Sequence, residues 1–131
     1  MAALATPRRG RPVRLLIADD VAQVRQDLRQ ALELAGGMQV IGEAADGRTA
    51  VALAERLQPD VVLMDLEKPV MDGYQASRQI KDRCPACQVV ALTVHGDEAS
   101  RLKAFEQGVD ALIVKGTTLQ TLVDTITQGD A

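Results

Sequence analysis

The sequence predicts an open, doubly wound α/β fold: five parallel strands in the order 2-1-3-4-5, with helices on both faces. Three observations predict it. Five short apolar runs recur along the chain, and most are continuous rather than alternating, which suits strands covered on both faces. Between them, apolar residues recur at helical spacing. Glycine and proline fall between these segments, and no proline lies inside a helical one. Alternating strands and helices build a parallel sheet. Right-handed crossovers leave few topologies, and the order 2-1-3-4-5 puts a crevice at the strand carboxyl ends.

The elements follow in order. Leu15-Leu16-Ile17-Ala18 is the first strand. Val21, Val24, Leu28, Ala31 and Ala35 share one face of the first helix, which Gly36-Gly37 ends. Met38 to Ile41 is the second strand. Ala50, Leu53, Ala54 and Leu57 mark the second helix, and Pro59 separates it from the third strand, Val61-Val62-Leu63-Met64. Tyr74–Lys81, with Ile80, forms the third helix. Val89-Val90-Ala91-Leu92 is the fourth strand, and Asp97–Gln107, with Leu102 and Phe105, the fourth helix, ended by Gly108. Ala111-Leu112-Ile113-Val114 is the fifth strand. Leu119, Leu122, Val123 and Ile126 share a face of the last helix. One domain is expected over residues 13–128. Residues 1–12, with Pro7, Gly10, Pro12 and Arg8, Arg9, Arg11, read as a flexible basic tail, and residues 129–131 as a C-terminal tail or the start of a linker.

Composition narrows the function. The 131 residues suit one domain with its own core. Aromatic residues are 2% of the chain, Tyr74 and Phe105, too few for a stacking platform for single-stranded nucleic acid. A net charge of −3 does not suggest a dedicated binder of nucleic acid or anionic membrane. No apolar run reaches bilayer length and no signal-peptide core follows the first arginines, so a cytoplasmic protein is expected. Cys84 and Cys87 form C-P-A-C. A redox pair should open a helix, whereas this pair follows one. With His95 as the single histidine, a closed zinc site is not expected. The two are read as loop cysteines.

The strand ends carry the chemistry. Asp19 and Asp20 follow the first strand and Asp65 the third; Thr93 ends the fourth, and Lys115 follows the fifth. Each alone is an ordinary loop residue, and an Asp-Asp pair often caps the next helix. Together they put three carboxylates, a hydroxyl and an ammonium on one sheet edge. Carboxylates 4 Å apart repel by roughly 4 kcal/mol at an effective dielectric near 20. They persist if one binds a proton or a cation sits among them. Hard oxygen donors favour Mg²⁺. A lysine and a hydroxyl beside it form a pocket for a phosphoryl dianion, toward which a carboxylate can act as nucleophile.

The stretches L-L-I-A-D-D, D-V-V-L-M-D-L-E-K-P-V-M-D-G-Y, V-V-A-L-T and G-V-D-A-L-I-V-K-G-T-T resemble the receiver domain of two-component response regulators, over residues 13–128. The spacing from Asp20 to Asp65, followed by Pro69 and Gly73, makes the likeness specific. The resemblance implies that Asp65 accepts a phosphoryl group from a sensor kinase's phosphohistidine, directly or through a phosphotransfer protein. It implies Mg²⁺ bound by Asp20 and Asp65, by Asp19 through water, and by the backbone carbonyl of Glu67. It implies that Thr93 and Lys115 hold phosphoryl oxygens and so switch the face of the fourth helix, fifth strand and fifth helix. Such a module is regulatory and does no more than phosphorylate and dephosphorylate itself. A homodimer through that face, or an output domain outside this chain, would read the state.

Departures from the family pattern are visible. Leu112 stands where receivers usually carry an aromatic switch residue. Gly116 replaces the usual proline after the lysine, as in the subfamily with a C-terminal helix-turn-helix output domain. Thr125 to Ala131 reads as the beginning of a linker, which favours an excised domain over a stand-alone one. Glu67 and Lys68 make an unusually charged loop. The Glu67 side chain and His95 are expected to flank the phosphoryl group and tune its lifetime, the imidazole in a pH-dependent way.

Other functions share the architecture. A flavodoxin-like electron carrier needs a Ser/Thr/Gly-rich phosphate loop after the first strand, where this chain reads D-D-V-A-Q. A haloacid-dehalogenase-type phosphatase uses a D-x-D that Asp65-Leu66-Glu67 faintly resembles, but needs it on an early strand. A degenerate receiver acting only as an interaction module would not need the full Asp/Asp/Asp/Thr/Lys set.

Overall fold

The computed structural model describes residues 10–67 and 73–128. The expectations placed on residues 1–9, on Lys68 and Pro69, and on residues 129–131 lie outside them. The elements are β1 (Val13–Ala18), α1 (Ala22–Ala35), β2 (Met38–Ala44), α2 (Gly47–Leu57), β3 (Val61–Asp65), α3 (Gly73–Arg83), β4 (Gln88–Thr93), α4 (Glu98–Glu106), β5 (Ala111–Val114) and α5 (Leu119–Gln128). All strand pairs are parallel, in the order β2-β1-β3-β4-β5. No helix among the described residues is long and apolar enough to cross a membrane.

Burial explains the continuous apolar runs. β3, between β1 and β4, is buried at every residue. The edge strands β2 and β5 are only partly covered. Alternate residues feed two cores. Leu16, Ala18, Val62 and Met64 pack with Ala50, Ala54, Ala76 and Ile80 of α2 and α3. Leu15, Ile17, Leu63 and Val90 pack with Leu32 of α1 and with Leu122 and Ile126 of α5. Helices therefore cover both faces, the condition under which parallel sheets occur.

Three readings of the sequence are corrected by packing. The second strand does not stop at Ile41. It runs to Ala44, with a register shift between Leu15 and Leu16 that leaves Ile41 as the extra residue, because pairing with β1 continues through Ala18. The helical face of α1 is not wholly core: its fully buried residue is Leu32, whereas Val21 and Val24 are 48% and 39% exposed. Val21 and Val24 wall a cavity described below. Residues 125–128 are not linker but the last turn of α5. Thr125 and Thr127 donate their hydroxyls to the carbonyls of Thr121 and Val123, and Ile126 is fully buried.

Cys84 and Cys87 lie in the loop between α3 and β4, as expected. Both are buried and joined in a disulfide. The chain makes one tight turn after α3, in which Cys84 N–H donates to Ile80 O and Cys87 N–H to Cys84 O. That turn brings the two Cα atoms to 5.5 Å, within disulfide reach.

Candidate functional site

The carboxyl edge of the sheet assembles every residue that the sequence singled out there. β3 ends on Asp65, which is 3% exposed; Asp19, just past β1, is 4% exposed; Thr93, the last residue of β4, is fully buried. Asp20 is exposed. One carboxylate oxygen from each of Asp19, Asp20 and Asp65 lies within 4.8 Å of the others. Lys115 Nζ stands 3.0 Å from Asp65 Oδ1, with its side chain 37% exposed.

Local structure fixes each group. Asp19 N–H donates to Ala44 O of β2, and Arg25 of α1 donates to the Asp19 carbonyl at 2.6 Å. Arg25 also pairs with Glu43 near the end of β2, which Arg29 joins. The Asp-Asp pair does not cap α1 in the usual way. Val21 takes the N-cap position with no side-chain cap, and Asp19 Oδ1 instead accepts from Val21 N–H at 2.9 Å. Lys115 N–H donates to Thr93 O, carrying the β4–β5 pairing one residue past β5 and placing the lysine over the site. Gly73 opens α3 hard against the end of β3. A Cβ there would lie 2.5 Å from Leu66 Cα and 2.6 Å from Asp65 O, so only glycine lets the helix start so close to Asp65.

The electrostatics follow from this crowding. Burial raises the proton affinity of Asp19 and the Asp65 carboxylate raises it further, while the bond from Val21 N–H opposes both. Burial works against the charge of Lys115. Its hydrogen bond to Asp65 and the charges of Asp65, Glu67 and Asp19 outweigh that and raise its pKa.

Glu67 makes contacts that the sequence does not specify. Its N–H donates to Asp65 Oδ1 at 3.0 Å. Its carboxylate flanks the site, as expected, and reaches across to β4. Thr93 Oγ1 donates to Glu67 Oε2 at 2.8 Å and Val94 N–H to Glu67 Oε1 at 3.1 Å, with Lys115 Nζ 3.7 Å from the latter. His95 is exposed, and what it contributes is its backbone: its N–H donates to Thr93 Oγ1 at 3.0 Å. Arg25 was also missed. Its role depends on the juxtaposition of α1 with β2, which no local spacing encodes.

A cavity of about 500 Å³ opens beside these groups, walled by Val21, Val24 and Leu28 of the α1 side and by Leu119 and Leu122 of α5. Leu112 is half-buried and packs against the α2–α3 core, so the aromatic position of the family pattern is filled by an aliphatic core residue.

Comparison with known proteins agrees with this geometry. Residues 15–127 match the family described as the response regulator receiver domain. The response regulator protein VraR of Staphylococcus aureus is 35% identical over 114 residues, 87% of this chain and 54% of that protein. The chain spans about half the length of the curated relatives it matches. Among solved structures, a LuxR-family two-component response regulator from Aurantimonas sp. SI85-9A1 superposes with a TM-score of 0.84 at 34% identity, covering 89% of this chain and 84% of that one. The signal receiver domain of the putative response regulator NarL from Mycobacterium tuberculosis gives 0.85 at 30% identity, covering 90% and 95%.

Proposed function

The chain belongs to the response regulator receiver domains, the regulatory modules of two-component signalling, and on that premise we propose that Asp65 is its phosphoacceptor. The observation that carries this is the convergence on Asp65. It is buried at the end of β3, paired with Lys115 Nζ at 3.0 Å and grouped with Asp19 and Asp20. An Asp65 carboxylate oxygen attacks phosphorus. The new O–P bond forms as the P–N bond of a kinase or phosphotransfer phosphohistidine breaks, and the bonding pair leaves with the imidazole. Lys115 and Thr93 then offer an ammonium and a hydroxyl to the phosphoryl oxygens.

The three carboxylates fit a hard divalent cation. Their oxygens are mutually close, and burial together with the Asp65 charge raises the Asp19 pKa, which a cation would reverse. Mg²⁺ held by Asp19, Asp20, Asp65 and the Glu67 carbonyl would supply charge neutralisation between the carboxylates and the incoming phosphoryl group. Phosphorylation adds negative charge and three acceptor oxygens beside β4 and β5. We therefore infer that the α4–β5–α5 face carries the signal to a second copy or to an output domain, as in a LuxR-type regulator.

Intact-mass measurement after incubation with Mg²⁺ and acetyl phosphate tests this. One added phosphoryl group is expected, absent from Asp65→Ala and suppressed by a chelator. Undiminished phosphorylation of Asp65→Ala would remove the assignment.

A further inference from the structure

The Glu67 carboxylate stands where an acceptor group is wanted. The Thr93 hydroxyl has one proton, and it is given to Glu67 Oε2; the oxygen in turn accepts from His95 N–H. The Val94 N–H is given to Glu67 Oε1, and Lys115 Nζ lies 3.7 Å from the same oxygen. A hydroxyl, a backbone N–H and an ammonium thus form an anion subsite about an acidic side chain of the same chain. The hydroxyl and the ammonium are the donors assigned above to phosphoryl oxygens, and a single proton cannot fully serve two acceptors. The main-chain N–H of Glu67 is meanwhile fixed to Asp65 Oδ1, so the residue is tied to the acceptor by its backbone and to β4 by its side chain.

We infer that the Glu67 carboxylate is the resident ligand of the subsite formed by Thr93, Val94 N–H and Lys115, and that a phosphoryl group on Asp65 enters only as this carboxylate leaves. The inference rests on the phosphoacceptor reading above and deepens it. Glu67 acts as a positioning residue in the resting protein: it holds Thr93 and the start of the β4–α4 loop inward, as a bound anion would. Phosphorylation exchanges one anion for another at these donors. The side chain therefore sets a threshold for phosphoryl entry, because charge-assisted hydrogen bonds must be broken before new ones form.

Two readouts on wild type, Glu67→Gln and Glu67→Ala test this. The first is amide hydrogen exchange at Val94 in buffer without donor. The second is the rate of phosphorylation by acetyl phosphate with Mg²⁺, followed by intact mass. In Glu67→Ala the Val94 amide is expected to exchange roughly tenfold faster or more, the factor for losing one hydrogen bond to a charged acceptor. Both variants are expected to be phosphorylated faster than wild type, Glu67→Gln by the smaller factor. Unchanged Val94 exchange in Glu67→Ala overturns the inference even if phosphorylation quickens, since relief of repulsion toward an anionic donor does that without touching Val94. Phosphorylation no faster than wild type in both variants overturns it too. Glu67→Gln keeps the side chain's size and decides the matter if Glu67→Ala fails to fold. Asp65→Ala, run alongside, separates the two levels. Phosphorylation persisting there refutes Asp65 as acceptor, while Val94 exchange still reports whether Glu67 holds the subsite.

Discussion

Crowding raises the pKa of both Asp19 and Lys115, disfavouring the charge of the first and favouring that of the second. Burial and Asp65 raise the folded-state pKa of Asp19 above its ordinary value of 3.8. The folded chain then binds more protons than the unfolded one just above that value. The stability due to Asp19 is present below 3.8 and lost as pH rises through the folded value. At pH 7 the charged Asp19 opposes folding, so Asp19→Asn is expected to raise the thermal midpoint in metal-free buffer. The gain should shrink as pH falls toward about 4, and Mg²⁺ should stabilise wild type more than the variant; melting curves across pH, with and without Mg²⁺, check this. Lys115 is raised above 10.5, so its contribution is present below that value and lost as pH rises past the folded value. Its side chain is 37% exposed and screened, so Lys115→Ala is expected to cost about 1 kcal/mol or less in urea unfolding. The same variant should lose the phosphorylation-induced amide shifts of the α4–β5–α5 face. A loss of about 2–5 kcal/mol, the range for truncating a core side chain, would make the lysine structural instead.

At the scale of elements, the junction of β3 with α3 is the tightest point near the site. Gly73 N–H donates to Leu66 O, and the buried Ser77 hydroxyl donates to Gly73 O one turn later. The atoms that a Cβ at Gly73 would meet include the Asp65 carbonyl and Leu66 Cα, which are backbone and cannot rotate away. Gly73→Ala is therefore expected to destabilise by roughly 1–3 kcal/mol, as overpacking does, and to slow phosphorylation by displacing Asp65. Urea unfolding and intact-mass kinetics on the same variant measure both effects. Unchanged stability would mean that α3 can shift freely. The start of α4 was legible at its cap, where Asp97 accepts from Ser100 N–H. The start of α2 was not, although Asp46 accepts from Thr49 N–H, because the apolar face of α2 begins only at Ala50. The end of β2 was not legible, since Gly42, Glu43 and Ala44 are held in the strand by pairing with β1 and not by their own propensity.

For the whole molecule, the sequence by itself determined the five strands, the five helices and the order 2-1-3-4-5. Their signals are local: continuous apolar runs, helical spacing and breakers between them, read against the handedness of crossovers. It also determined which edge carries Asp19, Asp20, Asp65, Thr93 and Lys115, because parallel strands put all their carboxyl ends on one side. Only the tertiary structure decided how those groups are joined. Val21 and Val24 look like core in the α1 pattern, yet they are exposed and wall a cavity. Cys84 and Cys87 look like loop residues, yet one tight turn buries and joins them. Arg25 carries no local signal, and Glu67 only that of a charged loop, which does not name its partners. Each acts on a residue that another strand brings within hydrogen-bond reach, Arg25 on Glu43 and Glu67 on Thr93. Periodicity reports which face a side chain takes on its own element; hydrogen-bond partners 18 and 26 residues apart are set by strand register, which exists only once the sheet has formed.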